Sequence, residues 1–213
     1  MDANQRLADA LRSNNLRGVR DALRKGADPN TRIDPQGHSS LYWAATAANI
    51  EMVQALLDAG AKPSAEKSEA SSLHAAAAAG NPQILDLLLK AGGKRFLNKL
   101  DSFGYTPLMR AVESNNLDAA RQLIEAGADV NAREDHTFGN TALRIATGDG
   151  SLDMVKLLIN AGADPLIPGR LMLTPLDRAR ERHTPEGRLI TAFITKTLEA
   201  PKPSRPKRRG PQR

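Results

Sequence analysis

The sequence predicts an all-α solenoid built from helix–turn–helix repeats joined by projecting β-turn or hairpin loops. Leucines that begin a helix fall at residues 41, 73, 108, 143 and 176, spaced by 32, 35, 35 and 33 residues. Glycines that end a helix fall at residues 26, 60, 92, 127 and 162, spaced by 34, 32, 35 and 35 residues. Two independent landmarks with one period indicate repeated units of about 33 residues. Aromatic residues make up only 3% of the chain, so Ala and Leu must fill thin stacked layers of helices.

The most regular unit covers residues 101–131 and contains every part of the repeat. A tight turn opens it, and Thr106 and Pro107 then suit the N-cap and the first position of a helix. A Ser-Asn-Asn loop separates this helix from a second one, predicted over residues 117–125. Gly127 ends the second helix, because glycine readily takes the left-handed conformation just past a helix.

The order of these parts, with a TPL start to the first helix and a GAD exit from the second, resembles the ankyrin repeat. We therefore expect one ankyrin repeat domain over residues 1–199, whose first and last repeats are terminal caps. Its repeats are predicted at about residues 1–33, 34–65, 66–100, 101–135, 136–168 and 169–199. The resemblance implies a right-handed α-solenoid.

Two repeats depart from the pattern. Repeat three has Glu69 in place of the turn glycine but keeps His74 in the TPLH position, and the resemblance implies that His74 hydrogen-bonds to a neighbouring repeat. In repeat six, the residues ERHTPEGR replace the usual short loop, and the second helix is predicted over residues 189–198.

The sequence offers no motif for catalysis, cofactor binding or metal binding. Cysteine is absent, the four histidines have no metal-ligand spacing, and HExxH, GxGxxG, GxxxxGK and GxSxG do not occur. No run approaches the roughly 20 apolar residues of a membrane span, and the charged N-terminus differs from a secretory signal. We expect a non-enzymatic, cytoplasmic monomer without a cofactor.

Residues 200–213 form a basic, proline-rich segment that we expect to be disordered. Six of the 30 Lys and Arg residues lie there without any acid, so the remaining 24 balance the 24 acidic residues. The net charge of +6 therefore belongs to this tail, which could be a nuclear localisation signal in a eukaryote, a polyanion-binding arm or a solubilising terminus. The alternative function is an electrostatic binder of nucleic acid or an anionic surface through Lys202, Arg205, Lys207, Arg208 and Arg209.

The resemblance implies a protein–protein interaction module that binds a protein of unknown identity through its hairpin tips and concave helix face. An inhibitor or immunity-type partner of an enzyme is a subclass that the sequence does not separate. Repeat three carries small residues at the variable positions, so we expect repeats four and five to form the main contact region. Trp43 is equally compatible with the core and with a contact. The predicted partner-binding residues are Gln36, His38, Thr46, Phe103, Tyr105, Arg110, Glu113, Phe138, Asn140, Arg144 and Asp149.

The rings of Phe103, Tyr105 and Phe138 carry most weight in this prediction. They lie in or beside the turns that open repeats four and five, where the core of the repeat does not require a ring.

Overall fold

Pairs of short helices recur along the chain in the computed structural model, which describes residues 2–63, 70–133, 139–169 and 172–199. The described residues contain twelve α-helices and no β-strand, apart from one antiparallel bridge between Arg32 and Ser39. The predicted all-α solenoid is confirmed. The helices are α1 Ala3–Arg12, α2 Leu16–Arg24, α3 Ser40–Thr46, α4 Ile50–Asp58, α5 Ser72–Ala79, α6 Pro82–Lys90, α7 Pro107–Glu113, α8 Leu117–Glu125, α9 Ala142–Asp149, α10 Leu152–Asn160, α11 Pro175–Glu181 and α12 Pro185–Glu199.

The helices form two rows. The first helix of each pair packs on the first helices before and after it, from α1 through α3, α5, α7 and α9 to α11, and the second helices α2 to α12 do the same. The regularly spaced leucines lie between the rows, and Leu41, Leu73, Leu108 and Leu143 are fully buried. Leu176 of repeat six is only partly buried.

The start of each helix follows from its capping residues. Thr106 accepts a hydrogen bond from the backbone N–H of Met109 at 3.2 Å, and Pro107 occupies the first position of α7. Helix α8 covers the predicted residues 117–125. The prediction for α12 was wrong, because this helix begins at Pro185 instead of residue 189.

A second Thr-Pro pair explains that earlier start. Thr184 accepts from the backbone N–H of Gly187 at 3.0 Å, and Pro185 fits the first helical position as Pro107 does in α7. A 3₁₀ helix at Gly93–Phe96 was also not predicted.

Asparagine side chains join each repeat to the next. The Oδ1 atoms of Asn30, Asn98 and Asn131 accept hydrogen bonds from backbone N–H groups about one repeat further on, at 2.8, 2.9 and 2.8 Å. The Nδ2 of Asn131 also donates to the carbonyl of Gly162 at 3.0 Å. These asparagines, two of them in a GADxN exit, therefore satisfy backbone groups that the helices leave unpaired.

Candidate functional site

Asp101 fixes the hairpin that precedes α7. Its side chain is only 2% exposed, and its Oδ1 accepts from the backbone N–H groups of Phe103 at 2.9 Å and Tyr105 at 3.0 Å. The N–H of Gly104 donates to the Asp101 carbonyl at 2.9 Å, with a φ of +75° that favours glycine. The hairpin tip is therefore held in one conformation from within.

Arg110 of α7 ties this hairpin to the helix. Its Nε donates to Oδ2 of Asp101 at 2.7 Å, and its Nη1 donates to Oε2 of Glu113 at 2.8 Å. The guanidinium carbon lies 5.1 Å from the ring centroid of Phe103 and 4.7 Å from that of Tyr105, within the range of cation–π attraction. Burial opposes the charge, but Asp101 and Glu113 outweigh it and raise the pKa of Arg110.

The hairpin of repeat two uses Asp34 in the same way. Its Oδ1 accepts from the backbone N–H of His38 at 2.9 Å, while its Oδ2 lies 2.6 Å from His38 Nδ1 and accepts from Trp43 Nε1 at 3.1 Å. Burial opposes ionisation, but these hydrogen bonds outweigh it and lower the pKa of Asp34 below 3.8. Trp43 thus has a structural role in repeat two, because it binds the hairpin carboxylate and packs against the core.

A groove with a volume of about 670 Å³ opens between these two hairpins. His38, stacked on Tyr42 at 4.0 Å between ring centroids, forms one wall, and Phe103 with Arg110 forms the other. Alanines of α5 form the floor. This central groove is lined by Gln36, His38, Tyr42, Thr46, Ala75, Ala78, Ala79, Phe103 and Arg110.

His74 lies beneath the central groove and joins repeats three and four. Its Nδ1 accepts from the backbone N–H of Ser71 at 3.0 Å, so the proton is on Nε2, which donates to the carbonyls of Lys99 and Tyr105 at 3.0 Å each. Burial lowers the pKa of His74 below 6.5, and the nearby Asp101 carboxylate only partly offsets this effect. His74 is therefore a neutral structural residue, and its predicted bonding between repeats is confirmed.

A second, smaller groove of about 310 Å³ lies between the first helices of repeats four, five and six. Arg144 of α9 lines it, and its Nη1 donates to Oδ1 of the buried Asn140 at 2.5 Å. This C-terminal groove is lined by Tyr105, Glu113, Asn140, Arg144, Asp149 and Arg178.

Every predicted partner-binding residue that the structure describes lines one of these two grooves. The central groove contains Gln36, His38, Thr46, Phe103 and Arg110, and the C-terminal groove contains Tyr105, Glu113, Asn140, Arg144 and Asp149. The tip residue Phe103 is 69% exposed, whereas Tyr105 is half-buried and packs against the core. The described residues exclude Glu69, Phe138 and the tail residues Lys202, Arg205, Lys207, Arg208 and Arg209.

Sequence reasoning left Tyr42 and Arg178 out of the predicted site and discounted the small residues of repeat three. Tyr42 forms a wall of the central groove, and the exposed Ala78 and Ala79 form its floor. Arg178 lines the C-terminal groove. The signal for Arg178 was available, because it follows the TPL motif of repeat six as Arg110 follows that of repeat four.

The described part of the chain has no group of three or more His, Asp or Glu residues that could hold a metal ion. None of the helices in the described ranges is long and apolar enough to cross a membrane.

Comparison with known proteins identifies the same repeats. A family model described as ankyrin repeats (3 copies) matches residues 7–96 and 73–169, which together exceed half of the chain. A segment of 34 residues is 56% identical to the cell division cycle-related protein res1/sct1 of Schizosaccharomyces pombe. That match covers 16% of this chain and 5% of the yeast protein, so the chain spans a small fraction of its relative's length.

Two solved structures have the same architecture. The ankyrin repeat domain of Bcl-3, a member of the IkappaB protein family, superimposes with a TM-score of 0.77 at 24% identity, over 92% of this chain and 87% of that one. The ankyrin repeat protein EF0377 superimposes with a TM-score of 0.76 at 28% identity, over 91% of this chain and 98% of that one. The chain therefore belongs to the ankyrin-repeat family, whose repeats generally act as protein–protein interaction modules.

Proposed function

We propose that the chain binds a protein partner in the central groove, with Phe103 as the main anchor. The observation that carries this proposal is the ring of Phe103, which is 69% exposed yet is ordered by contacts to its backbone and to its side chain. Its backbone N–H is bound by Asp101, and its ring is contacted by Arg110. An exposed ring that is already ordered costs little conformational entropy when a partner covers it.

The floor of the groove supports the same proposal. Ala78 and Ala79 are exposed between walls made by larger side chains of repeats two and four. Large apolar anchors in a desolvated centre, surrounded by polar groups, are typical of protein interfaces. The proposed contact region therefore centres on repeats two to four and extends to the C-terminal groove in repeats five and six.

We also propose that the protein is a non-enzymatic, cytoplasmic monomer, as we expect from its sequence. The ankyrin family and fold are typically non-enzymatic, and the partner would be recognised by its surface alone.

The test compares proteins captured from native lysate by the wild type and by two variants of the groove. Phe103→Ala removes one wall, and Ala78→Lys fills the exposed floor without disfavouring the helix. Both should lose the same captured protein, and affinity for the purified partner should fall by about 30-fold for Phe103→Ala, as for a hot-spot residue worth about 2 kcal/mol. Thermal unfolding should change little, because both positions are exposed.

Leu189→Ala is the matched control, since Leu189 is 54% exposed on α12 and lines neither groove. It should retain the partner. Deletion of residues 201–213 should also leave capture unchanged. The groove would be the wrong site if Phe103→Ala captured the wild-type set of proteins. A steep salt dependence that disappeared with the tail would instead support electrostatic binding.

A further inference from the structure

Two hairpins share a pairing between an aspartate and the residue nine positions later. In repeat two, Asp34 accepts from the side chain of Trp43 at 3.1 Å, and in repeat four, Asp101 accepts from Arg110 at 2.7 Å. The carboxylate in each case lies at the start of the hairpin, and its partner lies on the first helix. This position therefore places a negative charge against the helix-one face.

Repeat six keeps the geometry but lacks the carboxylate. Gly169 stands where the hairpins of repeats two and four have Asp34 and Asp101, and Arg178 follows it by nine residues. The N–H of Gly169 donates to the carbonyl of Leu173 at 2.9 Å, as the N–H of Asp101 donates to the carbonyl of Tyr105 at 2.9 Å. Arg178 consequently occupies the position of Arg110 without the hairpin carboxylate that binds Arg110.

A second cation fills the space beside Gly169. A Cβ added at Gly169 would lie 2.4 Å from Nε of Arg144, and one added at Gly148 would lie 2.6 Å from Nε of Arg178. Each guanidinium thus lies against a bare glycine backbone. Within the described ranges, neither arginine forms an ion pair, and the Nε of Arg144 is buried without a hydrogen-bond partner.

The groups around Arg144 and Arg178 do not fully balance the two positive charges. Burial is the largest cause that lowers the pKa of Arg144, and repulsion from Arg178 is the next. Attraction to Glu181 offsets only part of this lowering. Of the acids that line the C-terminal groove, Glu113 is already bound to Arg110, and Asp149 is exposed at the end of α9. A bound anion would relieve a repulsion that the free protein has to tolerate.

We propose that Arg144 and Arg178 form a binding site for a carboxylate side chain of an acidic segment in the protein partner. The guanidinium groups offer the paired donors that suit a carboxylate, and Tyr105, whose hydroxyl is a further donor, lines the same groove. Burial raises the pKa of Tyr105 and keeps this hydroxyl protonated. The inference rests on the proposed function and specifies the chemistry of the partner at repeats five and six.

The test uses the full chain and two blocked peptides, acetyl-Gly-Ser-Glu-Glu-Gly-Ser-amide and the same peptide with Gln in place of Glu. Nuclear magnetic resonance of the arginine Nε–H groups reports binding at each site, with signals assigned from the Arg144→Lys and Arg178→Gln variants. The acidic peptide should shift the Arg144 and Arg178 signals and saturate at a Kd on the order of 1 mM, whereas the Gln peptide should leave them unchanged.

Arg178→Gln should weaken acidic-peptide binding at Arg144 about tenfold, as expected for the loss of a charge-assisted hydrogen bond. Its melting temperature should stay the same or rise, because a repulsion is removed. Arg121→Gln, an exposed charge on α8 outside both grooves, is the matched control and should bind within about twofold of the wild type.

Equal weakening by Arg121→Gln and Arg178→Gln would overturn the proposal, as would unshifted Arg144 and Arg178 signals or tighter binding of inorganic phosphate. A fall in melting temperature for Arg178→Gln would show a structural role instead. Phe103→Ala should leave peptide binding intact. A failure of this site is therefore distinguishable from a failure of the central groove.

Discussion

Replacement of Asp101 tests whether this side chain orders the hairpin tip of repeat four. Asp101→Ala removes two hydrogen bonds to backbone N–H groups, each worth about 1 kcal/mol, and a charge-assisted bond to Arg110 worth about 2 kcal/mol. The expected loss of unfolding free energy is therefore about 4 kcal/mol. Asp101→Asn keeps an acceptor for the backbone but turns an amide donor toward Arg110, so it should lose about 2 kcal/mol.

Urea unfolding followed by circular dichroism measures these losses. Linear extrapolation applies only if all variants keep the same dependence on urea, because repeat proteins can unfold in parts. A double-mutant cycle with Arg110→Ala isolates the charged pair and should give a coupling energy of about 2 kcal/mol.

Asp153→Ala is the control for the loss of an aspartate. Its carboxylate is 73% exposed and lies 3.3 Å from Lys156, so the change in stability should stay below about 0.5 kcal/mol. If Asp101→Asn fell within the same limit, or if the coupling with Arg110 were that small, the hairpin would be ordered by something other than Asp101.

Two further predictions concern the helices around the central groove. Ser72→Pro should raise the unfolding free energy by about 1 kcal/mol, because Ser72 starts α5 with a buried hydroxyl that lacks a partner, and proline suits this position. Urea unfolding should show no gain for Ser40→Pro, since the N–H of Ser40 donates to Thr31 at 3.3 Å; equal gains would contradict the reasoning. The wild type should lose stability as pH falls below about 6.5, because unfolded His74 binds a proton more readily than the buried ring. His74→Gln should flatten this loss in melting curves, and an unchanged slope would point to other groups.

The parts of the fold that the sequence predicted have local causes. Thr106 and Pro107 define the start of α7 through contacts within four residues, and Gly127 takes a φ of +100° just after α8. The start of α12 was missed although Thr184 and Pro185 give the same local signal. The repeat pattern was extrapolated into repeat six, where the residues ERHTPEGR replace the usual short loop.

The grooves depend on distances that no single repeat encodes. The floor of the central groove belongs to repeat three, whereas its walls belong to repeats two and four. Repeat three looked poor in contacts because its residues are small, yet small residues between large neighbours are what creates a concave surface. The stacking of Tyr42 on His38 was likewise not predicted from the sequence, because the orientation of a ring depends on packing as well as on residue spacing.

The scaffold and the proposed recognition surface of this protein use different positions of the repeat. The buried leucines recur at the start of the first helices, and Asn30 and Asn131 bridge repeats from the same place in the GADxN exit, since each must match the same backbone in the next repeat. The hairpin position of Asp101 carries no such restriction, because the backbone pairing around it persists when Gly169 takes its place. Glycine instead of aspartate at this position therefore leaves the arginine nine residues later without the carboxylate that would neutralise it. The charge of a groove can vary along the solenoid while the fold that supports it stays the same.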